Sequence, residues 1–235
     1  LSPEVIVALD YGEIKPVKEI VKKVGSAVEW YKVGLELFVS CGPEALEFLR
    51  LEGKKIFLDL KFHDIPNTVS GALTSSLKYG IDMVNVHAQG GVEMMKSSAL
   101  TLREESVKRG VRPPLVIAVT LLTSLDESYL TKNKLGFNAA EDYVLHLAQT
   151  VKEAELDGVV SSARETAVIK SMLGKDFITV TPGIRPADSS VDDQKRVVTP
   201  FDAKQLGTDF IVVGRPITKA ADPFLAATKI KEEMR

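Results

Sequence analysis

The stretch Phe57-Leu-Asp59-Leu-Lys61-Phe-His-Asp64 sets Asp59, Lys61 and Asp64 at the end of an apolar run. In a strand, residues i and i+2 share a face, so Asp59 and Lys61 stand side by side. A carboxylate and an ammonium at the mouth of a buried strand are costly to desolvate and must hold each other. Such a pair is either a salt bridge tying down a strand end or the charged centre of a site. Asp10 and Lys32 bear on that choice, because each also stands at the end of an apolar run. Signs that alternate over Asp10, Lys32, Asp59 and Lys61 are hard to ascribe to random loop polarity.

These residues need elements to bring them together. Short, β-branched apolar runs recur at 5–9, 29–33, 55–58, 83–86, 115–119, 158–160, 177–180 and 210–213. Nearly continuous apolar character is expected of parallel strands buried on both faces. Helix-period segments follow each run. Pro16 and Gly25 bound the first, at 14–25, and Pro43 opens the second, at 43–51. Asn67 is expected to cap 68–79, and Asn138 to cap 139–155. Further helices are expected at 92–109, 163–173 and 202–206, with a last one after Asp222 and Pro223. Eight strand–helix units predict an α/β fold, one (β/α)8 TIM barrel spanning 1–235 as a single domain. The first strand is not followed by Gly-x-Gly-x-x-Gly, which weakens an open dinucleotide-binding sheet. Segments 120–137 and 182–199 are long connections and read as lids or binding loops.

In such a barrel the working face is the C-terminal end of the strands. Asp10, Lys32, Asp59, Lys61 and His87 all fall there. Gly183-Ile184-Arg185 and Gly214-Arg215 follow the seventh and eighth runs, the loops that frequently hold phosphate. Glycines let backbone N–H groups approach the oxygens, and arginines fork onto them. His63, His87 and His146 share no metal-ligand spacing, and His146 reads as structural. His87 could touch a ligand or make a structural hydrogen bond. Net charge is −2, with acids and bases interspersed, so there is no global field for nucleic acid or anionic membrane. No run approaches a membrane span, and 5–9 is too short for a signal peptide. Cys41 is the only cysteine, so no internal disulfide forms; a cytoplasmic setting and an inert thiol are expected.

Asp59-Leu-Lys61-Phe-His-Asp64-Ile-Pro-Asn67-Thr68 closely resembles the signature of the orotidine 5′-phosphate decarboxylase family, in its bacterial branch. The likeness continues through Ala-Leu-Asp10, Tyr-Lys32-Val-Gly, Asn-Val-His87-Ala and Val-Thr120-Leu-Leu-Thr123-Ser. It extends to Pro-Gly-Ile-Arg185-Pro, Asp-Gln194-Lys-Arg and Val-Gly214-Arg215-Pro-Ile. The resemblance implies decarboxylation of orotidine 5′-phosphate to uridine 5′-phosphate and CO2 by a homodimer with shared sites, without cofactor or metal. It implies that Lys61 is the general acid beside C6, and that Asp59 holds Lys61 and faces the departing carboxylate. Asp64 and Thr68 would reach the neighbouring subunit's site. Asp10 and Lys32 would hold ribose hydroxyls, and Thr123 would contact the pyrimidine. Arg185, Gln194, Gly214 and Arg215 would hold the phosphate. Two alternatives stay open: a Mg2+-dependent sugar-phosphate decarboxylase or aldolase on the same barrel, and a catalytically silent binder of phosphate ligands.

Overall fold

The computed structural model describes residues 2–186 and 198–235. Its strands are β1 (Glu4–Leu9), β2 (Trp30–Gly34), β3 (Lys55–Phe62), β4 (Met83–His87), β5 (Leu115–Val119), β6 (Gly158–Val160), β7 (Ile178–Pro182) and β8 (Phe210–Val213). Each pairs in parallel with the next, and β8 closes on β1. The expected TIM barrel is the observed one. The helices are α1 (Ile14–Val24), α2 (Leu35–Cys41), α3 (Pro43–Leu51), α4 (Pro66–Ser76), α5 (Gly91–Lys108) and α6 (Glu127–Lys132). They continue as α7 (Ala140–Glu153), α8 (Ala163–Leu173), α9 (Pro200–Gln205), α10 (Arg215–Thr218) and α11 (Pro223–Glu233).

The strands' two faces do different work. Ile6, Ala8, Trp30, Phe57, Met83, Ile117, Val180 and Val212 form one cluster inside the barrel. Val5, Val7 and Leu9 belong to the larger core between the strands and the helices. The period of two then carries the inner face upward: Ala8 leads to Asp10, Phe57 to Asp59, and Met83 to Asn85. The charged residues are therefore the top layer of the same interior that is apolar below.

Several expectations are corrected. Asn67 does not cap α4; Pro66 occupies its first turn after an extended Ile65. Proline has the helical φ already and suits the first position, so Asn67 is the second helical residue, past the flanking position from which a side chain caps. Asn138 does not cap α7, where Ala139 is the flanking residue and the Glu127 side chain accepts from the Ala140 N–H (3.4 Å). Strand β3 runs on to Phe62, and α2, α6 and α10 were not anticipated. All three are short helices, with too few turns to show a 3.6-residue period. Asp222 does cap α11, accepting from the Leu225 N–H.

At the barrel's other end an aspartate immediately precedes β4, β6 and β8. Asp82 Oδ2 accepts from the Ile56 N–H (2.8 Å), Asp157 Oδ2 from Val116 (2.7 Å), and Asp209 Oδ2 from Thr179 (2.7 Å). Each donor is the second residue of the preceding strand. The three carboxylates thus lock β3 to β4, β5 to β6 and β7 to β8 at the same height. Asp209 also accepts from Lys170 Nζ (2.6 Å), whose side chain is only 11% exposed. Removing Asp209 strands a mostly buried ammonium as well as a backbone donor. Asp209→Ala should lower unfolding free energy by about 3–5 kcal/mol, and Asp82→Ala by about 1–3 kcal/mol. Denaturant unfolding with an unchanged m-value checks the order; a larger loss for Asp82→Ala would contradict it.

Candidate active site

Four of the residues singled out above converge at the top of the barrel. Lys61 Nζ lies 2.7 Å from Asp59 Oδ1, and Lys32 Nζ lies 3.4 Å from Asp59 Oδ2. Lys32 also reaches Asp10 Oδ1 at 3.2 Å. Asp59 is buried, so its carboxylate sits between two ammonium groups with little help from water. Gly34 makes room for this array: a Cβ there would stand 2.7 Å from Lys32 Nζ. Any side chain at this position pushes the ammonium off its partners.

Asp59 and Lys61 meet, but not through regular strand geometry. Phe57 pairs with Met83 and Leu58 with Val84, and then the register jumps to Phe62 opposite Val86. Asp59, Leu60 and Lys61 thus face a single residue of β4, Asn85. This is a bulge, which bends the strand and re-aims its side chains. Lys61 has φ of +51°, in the left-handed region that a residue with a Cβ rarely adopts. Asn85 is fully buried; its Oδ1 accepts from the Lys61 N–H (2.8 Å) and its Nδ2 donates to Asp59 Oδ1 (2.7 Å). The sequence reading missed it. The available signal was an amide at an inward-facing position of the otherwise apolar Met-Val-Asn-Val.

Above the array lies a cavity of about 180 Å3. Lys32, Asp59, Lys61, Thr123 and Ser161 line it together with Phe57, Val119, Leu121, Leu122, Val160, Pro182 and Val212. The walls are apolar and the charges lie to one side. A second hollow of about 190 Å3 is walled by Asp10, Lys32, Gly183, Ile184, Arg185, Gly214, Arg215 and Pro216. Lys32, Pro182 and Val212 border both hollows, so the two adjoin. Gly183 has φ of +81°, which glycine takes without strain.

The remaining expected residues divide. Thr123 reaches the cavity from the segment that also carries α6, anchored by buried Leu130. Arg185, Gly214 and Arg215 border the second hollow. Asp64 and Thr68 are exposed and line neither hollow; Asp64 Oδ1 accepts from the Ile65 N–H (2.6 Å). Gln194 lies outside the described residues. His87 stacks on His63 with ring centroids 5.4 Å apart, and its buried Nδ1 has no hydrogen-bond partner among the described residues. Burial, His63 and Lys61 hold His87 below the usual imidazole range. His146 packs against Phe137, as a structural residue would. Among the described residues, no group of three or more His, Cys, Asp and Glu side chains could hold a metal ion, and no helix could cross a membrane.

The family described as orotidine 5′-phosphate decarboxylase / HUMPS matches residues 3–230. The chain belongs to that family. An orotidine 5′-phosphate decarboxylase of Carboxydothermus hydrogenoformans is 47% identical over all of this chain and 97% of the relative. One from Idiomarina loihiensis is 47% identical over 97% of this chain and 96% of its own. The crystal structure of orotidine 5′-phosphate decarboxylase from Lactobacillus acidophilus superposes with a TM-score of 0.86 at 40% identity, covering all of both chains.

The array sets the charge state of Asp59. Burial pushes its carboxyl up, but the charges of Lys32 and Lys61 and hydrogen bonds from Lys61 and Asn85 outweigh burial and hold it below the ordinary carboxylate range. A depressed carboxyl contributes stability above its unfolded pKa, and that contribution is lost as pH falls through the folded value. A 13C titration of Asp59 should therefore place its midpoint below the ordinary carboxylate range. In Lys61→Ala the midpoint should rise, because burial remains while one charge and one hydrogen bond go. A native midpoint at or above the ordinary carboxylate value would contradict this account.

Proposed function

We propose that this chain, as one barrel domain over 1–235, is a carboxy-lyase converting orotidine 5′-phosphate to uridine 5′-phosphate and CO2, the last step of pyrimidine nucleotide synthesis. The carrying observation is the Lys32–Asp59–Lys61 array, set against an apolar cavity that adjoins a glycine- and arginine-lined hollow. The cavity suits the pyrimidine, with Thr123 at its edge, and the hollow suits the phosphate.

In the reaction the bond between C6 and the carboxylate breaks, and its electron pair stays on C6. That pair lies in the ring plane, so the ring cannot delocalise it. A fixed ammonium in a water-poor site stabilises the charge as it forms. Lys61 occupies that place and then gives its proton to C6. Asp59 orients Lys61 through their 2.7 Å contact, and faces the departing carboxylate. Lys32 and Asp10 border both hollows or the second of them, which suits contacts to the ribose between ring and phosphate. Arg185, Gly214 and Arg215 hold the phosphate, with Gln194 assigned there on the family likeness. Phosphate binding far from C6 is then available to close the site over the ring. No cofactor takes part in these steps.

We further propose a cytoplasmic homodimer with shared sites. Asp64 and Thr68 stand exposed on the β3–α4 connection, away from their own chain's hollows, as residues serving a neighbouring site would. Exposed Ile65 between them is apolar surface that a partner would cover.

Loss of orotate absorbance on incubation with orotidine 5′-phosphate tests the reaction directly. Lys61→Ala should abolish nearly all turnover while phosphate-ligand binding survives; retention of even about a tenth of kcat would sink the assignment.

The shared site has its own test. Lys61→Ala and Asp64→Ala chains, each badly impaired alone, are mixed by refolding. With random pairing about half the dimers are mixed, and each mixed dimer holds one intact site and one doubly damaged site. Activity should climb towards about a quarter of the native value. No rescue, with heterodimers confirmed by mass, would show that Asp64 serves its own chain.

A further inference from the structure

We propose that Asn85 is a positioning residue for the decarboxylation: its side chain replaces the missing β3–β4 ladder and fixes both Lys61 and Asp59. The inference rests on the roles given to those two residues above. Between Leu58 and Phe62, β3 advances by four residues while β4 advances by two, from Val84 to Val86. A regular ladder cannot satisfy the backbone of the surplus residues. The Lys61 N–H is satisfied by Asn85 Oδ1 instead (2.8 Å). That bond holds Lys61 in a left-handed conformation at φ +51°, which sets the direction in which its side chain leaves the strand.

The other half of the amide completes the arrangement. Asn85 Nδ2 donates to Asp59 Oδ1 at 2.7 Å, the same oxygen that takes Lys61 Nζ at 2.7 Å. One carboxylate oxygen thus receives two donors, leaving Oδ2 towards Lys32. The amide orientation follows from chemistry. Turned over, it would set Nδ2 against the Lys61 N–H and Oδ1 against a carboxylate, repulsive on both sides. Asn85 is fully buried, so water does not substitute for either contact. It is absent from the cavity wall and does not touch substrate there. A side chain with one donor, one acceptor and this length is required; Asp, Ala and Leu each fail one contact or both.

Three readouts test this. In Asn85→Ala the Lys61 amide should lose its protection from hydrogen exchange while the amides of β5 keep theirs. Its kcat should fall by about 100-fold, as for a small misplacement of a reacting group, with KM nearly unchanged because the phosphate hollow is intact. Asn85→Asp guards against misfolding of the alanine variant. At neutral pH its carboxylate opposes Asp59, and kcat should be low. Towards acid pH a proton on the new carboxyl restores a donor to Asp59, so kcat relative to native should rise. Around this position the charged groups are Asp59, Lys61 and Lys32, with His87 two residues along β4. Native kcat in Asn85→Ala, an unaltered Lys61 amide, or an Asn85→Asp profile parallel to native would each overturn the proposal. If the native protein fails to turn over orotidine 5′-phosphate while the Lys61 amide still loses protection, the reaction assignment falls and the positioning of Lys61 stands.

Discussion

One buried carboxylate organises the top of this barrel. Asp59 has lost most of its water and would be untenable as an anion without partners. It is held by Lys61 and Asn85 on one oxygen and by Lys32 on the other. The dependence is mutual: Asp59 is also the acceptor that fixes where both ammonium groups sit. Removing either lysine leaves the buried Asp59 carboxylate with a single ammonium partner, a larger loss than breaking a surface ion pair. The group is therefore rigid in a way that its long side chains alone would not be. Gly34 contributes by omission, since the space a Cβ would fill is occupied by the Lys32 ammonium.

The barrel makes such a cluster affordable to assemble from distant parts of the chain. Parallel strands closed in a ring bring every strand end to one rim. The same inward face that stacks Ile6, Phe57 and Met83 below presents Asp10, Asp59 and Asn85 above. At the opposite rim, charge is used differently. Asp82, Asp157 and Asp209 each satisfy a backbone N–H of the preceding strand. Carboxylates at the bottom fasten strands together, while those at the top face a cavity. The division matches the general placement of stability at one face of this fold and chemistry at the other.

Under the proposed assignment, the two hollows divide recognition from reaction. Arg185 and Arg215 stand in the polar one, and Lys61 in the mostly apolar one. Lys32 borders both, so whatever fills the polar hollow acts next to a member of the charged array. In that assignment, coupling between remote binding and the reacting centre needs no long path; it crosses one ammonium group.

Much of this was legible in the chain alone. Apolar runs at regular intervals established eight strands, and proline, glycine and Asp222 marked many helix limits. Asp10, Lys32, Asp59 and Lys61 could be placed at strand ends because a period of two is a local property. Both glycine–arginine pairs could be assigned to the last two loops for the same reason. What stayed hidden depends on contacts between residues far apart in sequence. The bulge in β3 is defined by its register against β4, and no periodicity within β3 announces it. Asn85 was passed over because its role exists only opposite that bulge. Asn67 and Asn138 do not act as caps, because α4 already begins at Pro66 and the distant Glu127 side chain accepts from the first N–H of α7. The sequence by itself determined which groups stand at the rim. Tertiary packing decided which of them meet, because buried charges settle only where partners from other strands can satisfy them.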